Sequence, residues 1–354
     1  VTEGPGSSAV RPLRWGVANL VEYPMPEVAA RAQEYERLGF TDIWVPDERL
    51  LRNVYVSLAT IATATERIGL GPGVTNPYTR HPAHTAAAIA TIDELSGGRA
   101  NLAFGAGGGL DAYGVDRSRP VGRLREAIEI CRLLLRGETA SYEGETHSLR
   151  ATQLDFTPLR PIPIHVAGRG PKVLELAGEL ADGAIIGGFA DEAGIGYARE
   201  HIGRGMERAG RDTEGFDLMS WLYVSVDEDG DAARVAVSRM VLASLITSRP
   251  IVDRLGIELP ARLRDHLDAD GWRYPRISAA EAAGLLTPEI VDAFSAAGTP
   301  AEVQAKLSSI RALRIDHVTF VLFPTPGTTA PDLARRVAET VVSPLLESEG
   351  ATAS

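Results

Sequence analysis

Thiols are nearly absent from this chain, since Cys131 is the only cysteine in 354 residues. That excludes a disulfide framework and a thiolate metal site, and it fits a reducing cytoplasm. Long apolar runs are also missing; none approaches the roughly 20 residues needed to span a bilayer. The opening VTEGPGSSAVRP lacks the apolar core of a signal peptide and reads as a disordered leader over residues 1–12. Residues 348–354 read as a frayed tail. Positive charge is in deficit, with a net −11 at pH 7. The overall field therefore repels nucleic acid and anionic membranes. The expectation is a soluble cytoplasmic protein acting on small molecules, in which any anion needs a local pocket of donors.

Several catalytic signatures are absent. There is no Walker loop, no G-x-G-x-x-G fingerprint, no G-x-S-x-G element and no Cys–His nucleophile pattern. His81 and His84 have no companion carboxylate at metal-ligand spacing, so no metal site is expected. Chemistry carried by an organic cofactor fits better than covalent catalysis by the protein.

What is present is a regular alternation. Short apolar runs at 14–20, 41–47, 67–74, 99–107, 161–168, 182–188, 216–226 and 316–323 are each followed by a helical stretch. Continuous apolar strands between helices indicate a parallel sheet buried on both faces. Eight such units favour a closed (β/α)8 TIM barrel over an open doubly wound sheet. The spacing predicts one domain over 13–347. Two stretches, Leu110–Pro120 and an insertion at about 247–299, interrupt the pattern near the C-terminal face and are candidate lids.

In such a barrel the site lies just after the strands. The fifth strand end, HVAGRGPKVLELAG, carries Gly168, Arg169, Gly170, Pro171 and Lys172. Glycines let backbone N–H groups approach an anion, and the following helix terminus favours a phosphate. An ordinary turn with a solvated lysine is the alternative. The glycine-rich loop after the fourth strand, including Gly105 and Gly107, could clear space for a ring or serve only as a flexible connection. Gly187 ends the sixth strand. Asp47, Glu48 and Arg49 end the second; a carboxyl there could act as a general acid, or could pair with Arg49 or Arg52 to order the loop. The third strand ends in LGPGVTNPYTRHP, whose breaks suit either a poor strand or a backbone shaped for a ligand. Arg80 and His81 there would position the next helix.

At these residues the chain resembles the bacterial luciferase-like superfamily of flavin and deazaflavin oxidoreductases. Within it the chain is most similar to the F420-dependent methylenetetrahydromethanopterin reductase branch. The resemblance runs through IWVPDERLLRNVYVSL, IGLGPGVTNPYTRHPAHTAAAIATIDELSGGRA, PIHVAGRGPKVLELAGELADGAII and GLLTPEIVDAFSAAGTPAE. It implies a TIM barrel with the cofactor ring at its mouth, backed by a non-prolyl cis peptide at Gly73–Val74. Thr75 would support the ring and Asn76 bond its polar edge. The cofactor phosphate would lie on Gly168, Gly170, Pro171 and Lys172, and Ala167 would also contact the cofactor. Two departures bear on the substrate side: Glu48 stands where the reductases carry histidine, and Ala18 where they carry glutamate. The implied activity is F420-dependent hydride transfer to or from a small organic substrate, with Glu48 or Asp47 assisting a proton step. Alternatives are an FMN-dependent monooxygenase supplied by a separate flavin reductase, or a barrel that binds cofactor without turnover. The resemblance also implies a homo-oligomer, commonly a dimer.

Overall fold

The computed structural model describes residues 13–18, 23–48, 50–108, 110–273, 276–315 and 317–352. The expected leader and Arg49 lie outside these. In chain order the strands are β1 (Arg14–Ala18), β2 (Asp42–Val45), β3 (Gly69–Pro72), β4 (Leu102–Phe104), β5 (Ala140–Glu143) and β6 (Ser148–Thr152). They continue with β7 (Ile164–Ala167), β8 (Gly183–Gly187), β9 (Asp217–Val226), β10 (Ser295–Gly298) and β11 (His317–Leu322). The helices begin with α1 (Met25–Arg37), α2 (Val54–Ala64), α3 (Pro82–Ser96), α4 (Pro120–Leu135), α5 (Pro171–Leu180) and α6 (Glu192–Ala209). They end with α7 (Gly230–Thr247), α8 (Ala261–Ala269), α9 (Ala279–Ala283), α10 (Pro288–Phe294), α11 (Pro300–Ala312), α12 (Ala330–Val337) and α13 (Ser343–Thr352). Helix α13 thus continues into the segment expected to fray.

The eight strands read from the sequence pair in parallel in the order β3-β2-β1-β11-β9-β8-β7-β4. The two ends of this row meet. Leu70 bridges Ala100 and Thr75 bridges Phe104, both parallel. The Asn101 N–H donates to the Leu70 carbonyl at 2.8 Å, and the Thr75 N–H to the Ala103 carbonyl at 2.9 Å. The result is a TIM barrel whose seam lies between β3 and β4. Gly71 is required at the seam, because a Cβ there would collide with the Asn101 carbonyl.

Successive strand residues point to opposite faces. On β2, Ile43 and Val45 pack outward under the helices, while Asp42 and Trp44 point inward. Trp44, Ala103, Ile185 and Met219 form an apolar plug in the barrel, with Val74, Ala167 and Trp221 packed against it. Two residues below the plug on β2 and β9, the lining becomes charged. His165 Nε2 lies 2.9 Å and His317 Nδ1 3.1 Å from Asp217 Oδ2, and Arg14 pairs with the same carboxylate. His317 Nε2 faces Asp42 at 3.4 Å.

Three elements escaped the sequence pattern. The β5–β6 hairpin is antiparallel and stands outside the barrel. Its sequence, largely polar and exposed, carries no apolar strand signal. Strand β10 lies parallel to the upper half of β9, and α11 leads back to β11. The excursion therefore begins at α7, directly after β9. Within the expected 247–299 insertion, Leu263, Leu267, Ile290 and Phe294 are buried in the same core as the barrel helices.

The charged base makes stability depend on pH in two directions. Burial opposes the charged form of His317, but hydrogen bonds to Asp217 and Asp42 raise its pKa above 6.5. Burial pushes the Asp217 carboxyl up, yet hydrogen bonds from His165 and His317 hold it well below 3.8. The contribution of His317 is complete below its ordinary value and is lost as pH rises through the raised folded value; that of Asp217 is complete above 3.8 and is lost on acidification. Thermal denaturation across pH should show His317→Asn flattening the alkaline limb. Asp217→Asn should lower stability by about 3–5 kcal/mol near neutrality, because two histidines and an arginine lose their shared charge.

Candidate active site at the barrel mouth

The third strand ends in a bulge held from two sides. The Gly73–Val74 peptide is cis. Its N-terminal half is fixed by the Gly73 N–H on the Val45 carbonyl at 2.7 Å. Its C-terminal half is fixed by Thr75, whose N–H and C=O both bond across the seam to β4. The buried Thr75 hydroxyl donates to Asp47 Oδ2 at 2.7 Å, and Arg80 Nη1 donates to the same oxygen at 2.7 Å. The Arg80 guanidinium lies over the Tyr55 ring, 4.9 Å from its centroid. Asp47 is therefore engaged as a brace of the bulge. His81 does position the following helix, accepting the Ala83 N–H on Nδ1; Arg80 holds Asp47 instead.

Asn76 is buried, and its Oδ1 accepts from the N–H groups of Tyr78 and Thr79 and from the Thr79 hydroxyl. Only its amide NH2 end can address a ligand. Across the seam, Gly105 is required because a Cβ would stand 2.5 Å from the Val74 side chain. Gly107 sits at φ +71 beside Asn76, with its carbonyl held by Arg117 at 2.6 Å. Glu48 faces this loop: its Oε2 is 3.7 Å from the Cβ position of Gly108.

The end of β7 leads directly into α5. Helices α2, α6, α7 and α11 each have a side-chain N-cap, from Asn53, Asp191, Asp229 and Thr299. Helices α1, α4, α5 and α8 have none; the N-cap of α5 is Gly170, followed by Pro171. No atom lies within 4 Å of a Cβ built on Gly170, so the first turn of α5 is open. Lys172, one of two lysines in the chain, is exposed on that turn. Arg169 turns inward: Nη1 donates to the Ser244 carbonyl at 3.0 Å and the Ser248 hydroxyl at 3.2 Å. Its Nη2 lies 3.9 Å from the Cβ position of Gly187. Among the described residues Arg169 has no carboxylate partner.

Residues 12–317 match the family described as luciferase-like monooxygenase. The chain belongs to that family. A 5,10-methylenetetrahydromethanopterin reductase of Archaeoglobus fulgidus is 35% identical over 312 residues, covering 86% of this chain and 92% of the relative. An F420-dependent hydroxymycolic acid dehydrogenase of Mycobacterium tuberculosis is 34% identical over 232 residues, covering 61% and 63%. Among solved structures, the coenzyme F420-dependent tetrahydromethanopterin reductase of Methanopyrus kandleri superposes with a TM-score of 0.80. It is 27% identical over 94% of this chain and 99% of the other.

For a luciferase-like protein the notable addition is Trp221, absent from the candidates read from sequence. With Val74 and Ala167 it tops the apolar plug. Its indole N–H points down to Met219 Sδ at 3.0 Å, leaving the ring as a hydrophobic surface. The run FDLMSWLYVSV shows an apolar strand but not which alternate residues face the barrel axis, so Trp221 was not distinguishable there. Gly73 packs tightly against it: a Cβ would stand 2.6 Å from Trp44 Cβ and 2.8 Å from Trp221 Cη2.

Gly73→Ala should therefore lower stability by about 1–3 kcal/mol through overpacking. Gly170→Ala, in open space at φ −70, should leave stability unchanged or raise it by up to about 1 kcal/mol. Thermal and urea denaturation of the two variants checks the contrast.

Proposed function

We propose that this chain is an F420-dependent oxidoreductase acting on a small organic substrate. The observation that carries the reading is the open, uncapped first turn of α5 with Arg169 beside it, a cation without a carboxylate partner. The N-terminal dipole of a helix and charge-assisted hydrogen bonds favour a phosphate there. The Gly168, Gly170 and Lys172 backbone, the Lys172 ammonium and Arg169 would hold it, with Gly187 giving room. Toward the seam, Gly73, Val74 and Thr75 offer backbone and a small side chain to a flat ring, over Ala167 and Trp221. The relatives named for F420 support this choice over FMN.

The deazaflavin supplies the hydride-carrying carbon. The protein's part is orientation, exclusion of water and control of a proton. The bulge fixes one face of the ring site, and its brace, Asp47 with Arg80, keeps that surface in place. The Asn76 amide would donate to a polar ring edge. Glu48, at the rim opposite Gly108, would give or take the proton on the substrate. By the resemblance, Ala18 and Glu48 stand where methanopterin reductases carry glutamate and histidine, so the substrate is read as a different small acceptor. On this reading the enzyme is cytoplasmic, works as a homodimer or higher homo-oligomer and needs no separate flavin reductase.

Titration with F420 and with FMN tests the assignment. The expected result is F420 binding at micromolar affinity or better, with hydride exchange and no oxygen uptake; tight FMN binding with oxygen consumption would overturn it. Arg169→Ala should weaken F420 binding by about tenfold or more, the worth of a charge-assisted hydrogen bond. Glu48→Gln should reduce turnover while F420 affinity is retained; unchanged turnover would remove Glu48 from the mechanism.

A further inference from the structure

A large cavity lies at the opposite end of the barrel from the mouth. It has a volume of about 810 Å³, within the range of sites for drug-sized ligands. Its walls come from the N-terminal ends of β1, β7 and β9, the turns before β8 and β11, and the last turns of α6. From Asp217 at this face to Trp221 at the mouth is four residues of β9, about 13 Å.

Charge is the unusual feature. Arg14, Arg132, Arg199 and Arg314 line the cavity, with two carboxylates, Asp182 and Asp217, among the described residues. Arg14 and Arg132 pair with those aspartates. Arg199 Nη2 donates to the carbonyls of Leu313 and Arg314, at 2.7 and 2.9 Å, and so fixes the turn that carries Arg314. Arg314 itself has φ 60, a conformation few non-glycine residues adopt. It makes no ion pair among the described residues. Apolar surface lies beside the cations, from Ile162, Met206, Phe216 and Leu218. At the inner end His165 Nδ1 is buried without a hydrogen-bond partner among the described residues.

We infer that this cavity is a second binding site, separate from the mouth, for a small amphipathic organic anion: a carboxylate, sulfonate or phosphate ester on an apolar body. The anionic head pairs with Arg314 and Arg14, and the body packs on Phe216 and Leu218. Occupancy ties the β11 turn to the charged base through Arg14 and Asp217, so the ligand also raises thermal stability.

The test uses the full chain, with and without F420, and the probe 8-anilinonaphthalene-1-sulfonate. The expected result is a saturable fluorescence increase with one probe per chain, unaffected by saturating F420. Arg314→Glu should weaken probe binding by about tenfold or more, and Arg314→Lys by much less. Phe216→Ala should also weaken it, which keeps the test decisive if the charge reversal perturbs the turn. Displacement of the probe by F420 would place it in the mouth and overturn the inference. So would non-saturable binding, or affinity unchanged in both Arg314→Glu and Phe216→Ala. If F420 fails to bind at all, the proposed function falls, while probe binding and its loss in the variants still decide the second site.

Discussion

The bonds of Thr75 across the seam are the constraint on which the site depends. Seven neighbouring pairs of strands close the sheet by ordinary parallel ladders. The eighth, between β3 and β4, closes through two short contacts on either side of an irregular bulge. Thr75 donates and accepts there through its backbone, and its hydroxyl binds Asp47. One residue thus joins barrel closure, the shape of the mouth and the second strand end. A buried backbone group left unpaired there would cost free energy comparable to a lost hydrogen bond, so the bulge and its brace are kept together.

This arrangement divides the barrel interior into three layers with different chemistry. The base is ionic, with Asp42, Asp217, His165, His317 and Arg14 sharing protons and charge. The middle is apolar and filled by Trp44, Ile185 and Met219. The top is small and flat, with Gly73, Val74, Ala167 and Gly187 around the Trp221 face. Bulky side chains are excluded at Gly73 and Gly105 by direct collision. A surface left without side chains, next to a helix start left without a cap, suits a planar molecule with an anionic tail. The luciferase-like family and its F420-dependent relatives supply the chemistry such a molecule performs.

Much of this was legible in the residues. The eight apolar runs stand in the barrel, and the glycine and proline breaks of LGPGVTNPYTRHP fall at the bulge. The fifth strand end shows its open helix start in Gly170 and Pro171. Other features depend on distant neighbours that a single chain does not disclose. Asp47 reads locally as a strand-end acid or a partner of nearby arginines; its actual partners, Thr75 and Arg80, are set by the register of β2 against β3. Trp221 reads as one apolar residue among several until the phase of β9 is known. The polar β5–β6 hairpin lacks the apolar periodicity that marks a strand, since it packs beside α4 rather than between helices and sheet.

The position of the cofactor decides how the mouth works. A crystal structure of the chain with F420 tests this most directly. The ring is predicted to rest against Gly73–Val74 and Thr75, above Ala167 and Trp221, with the phosphate within hydrogen-bond reach of the first turn of α5 and Arg169. A ring bound elsewhere on the barrel, or a phosphate held away from α5, would contradict it.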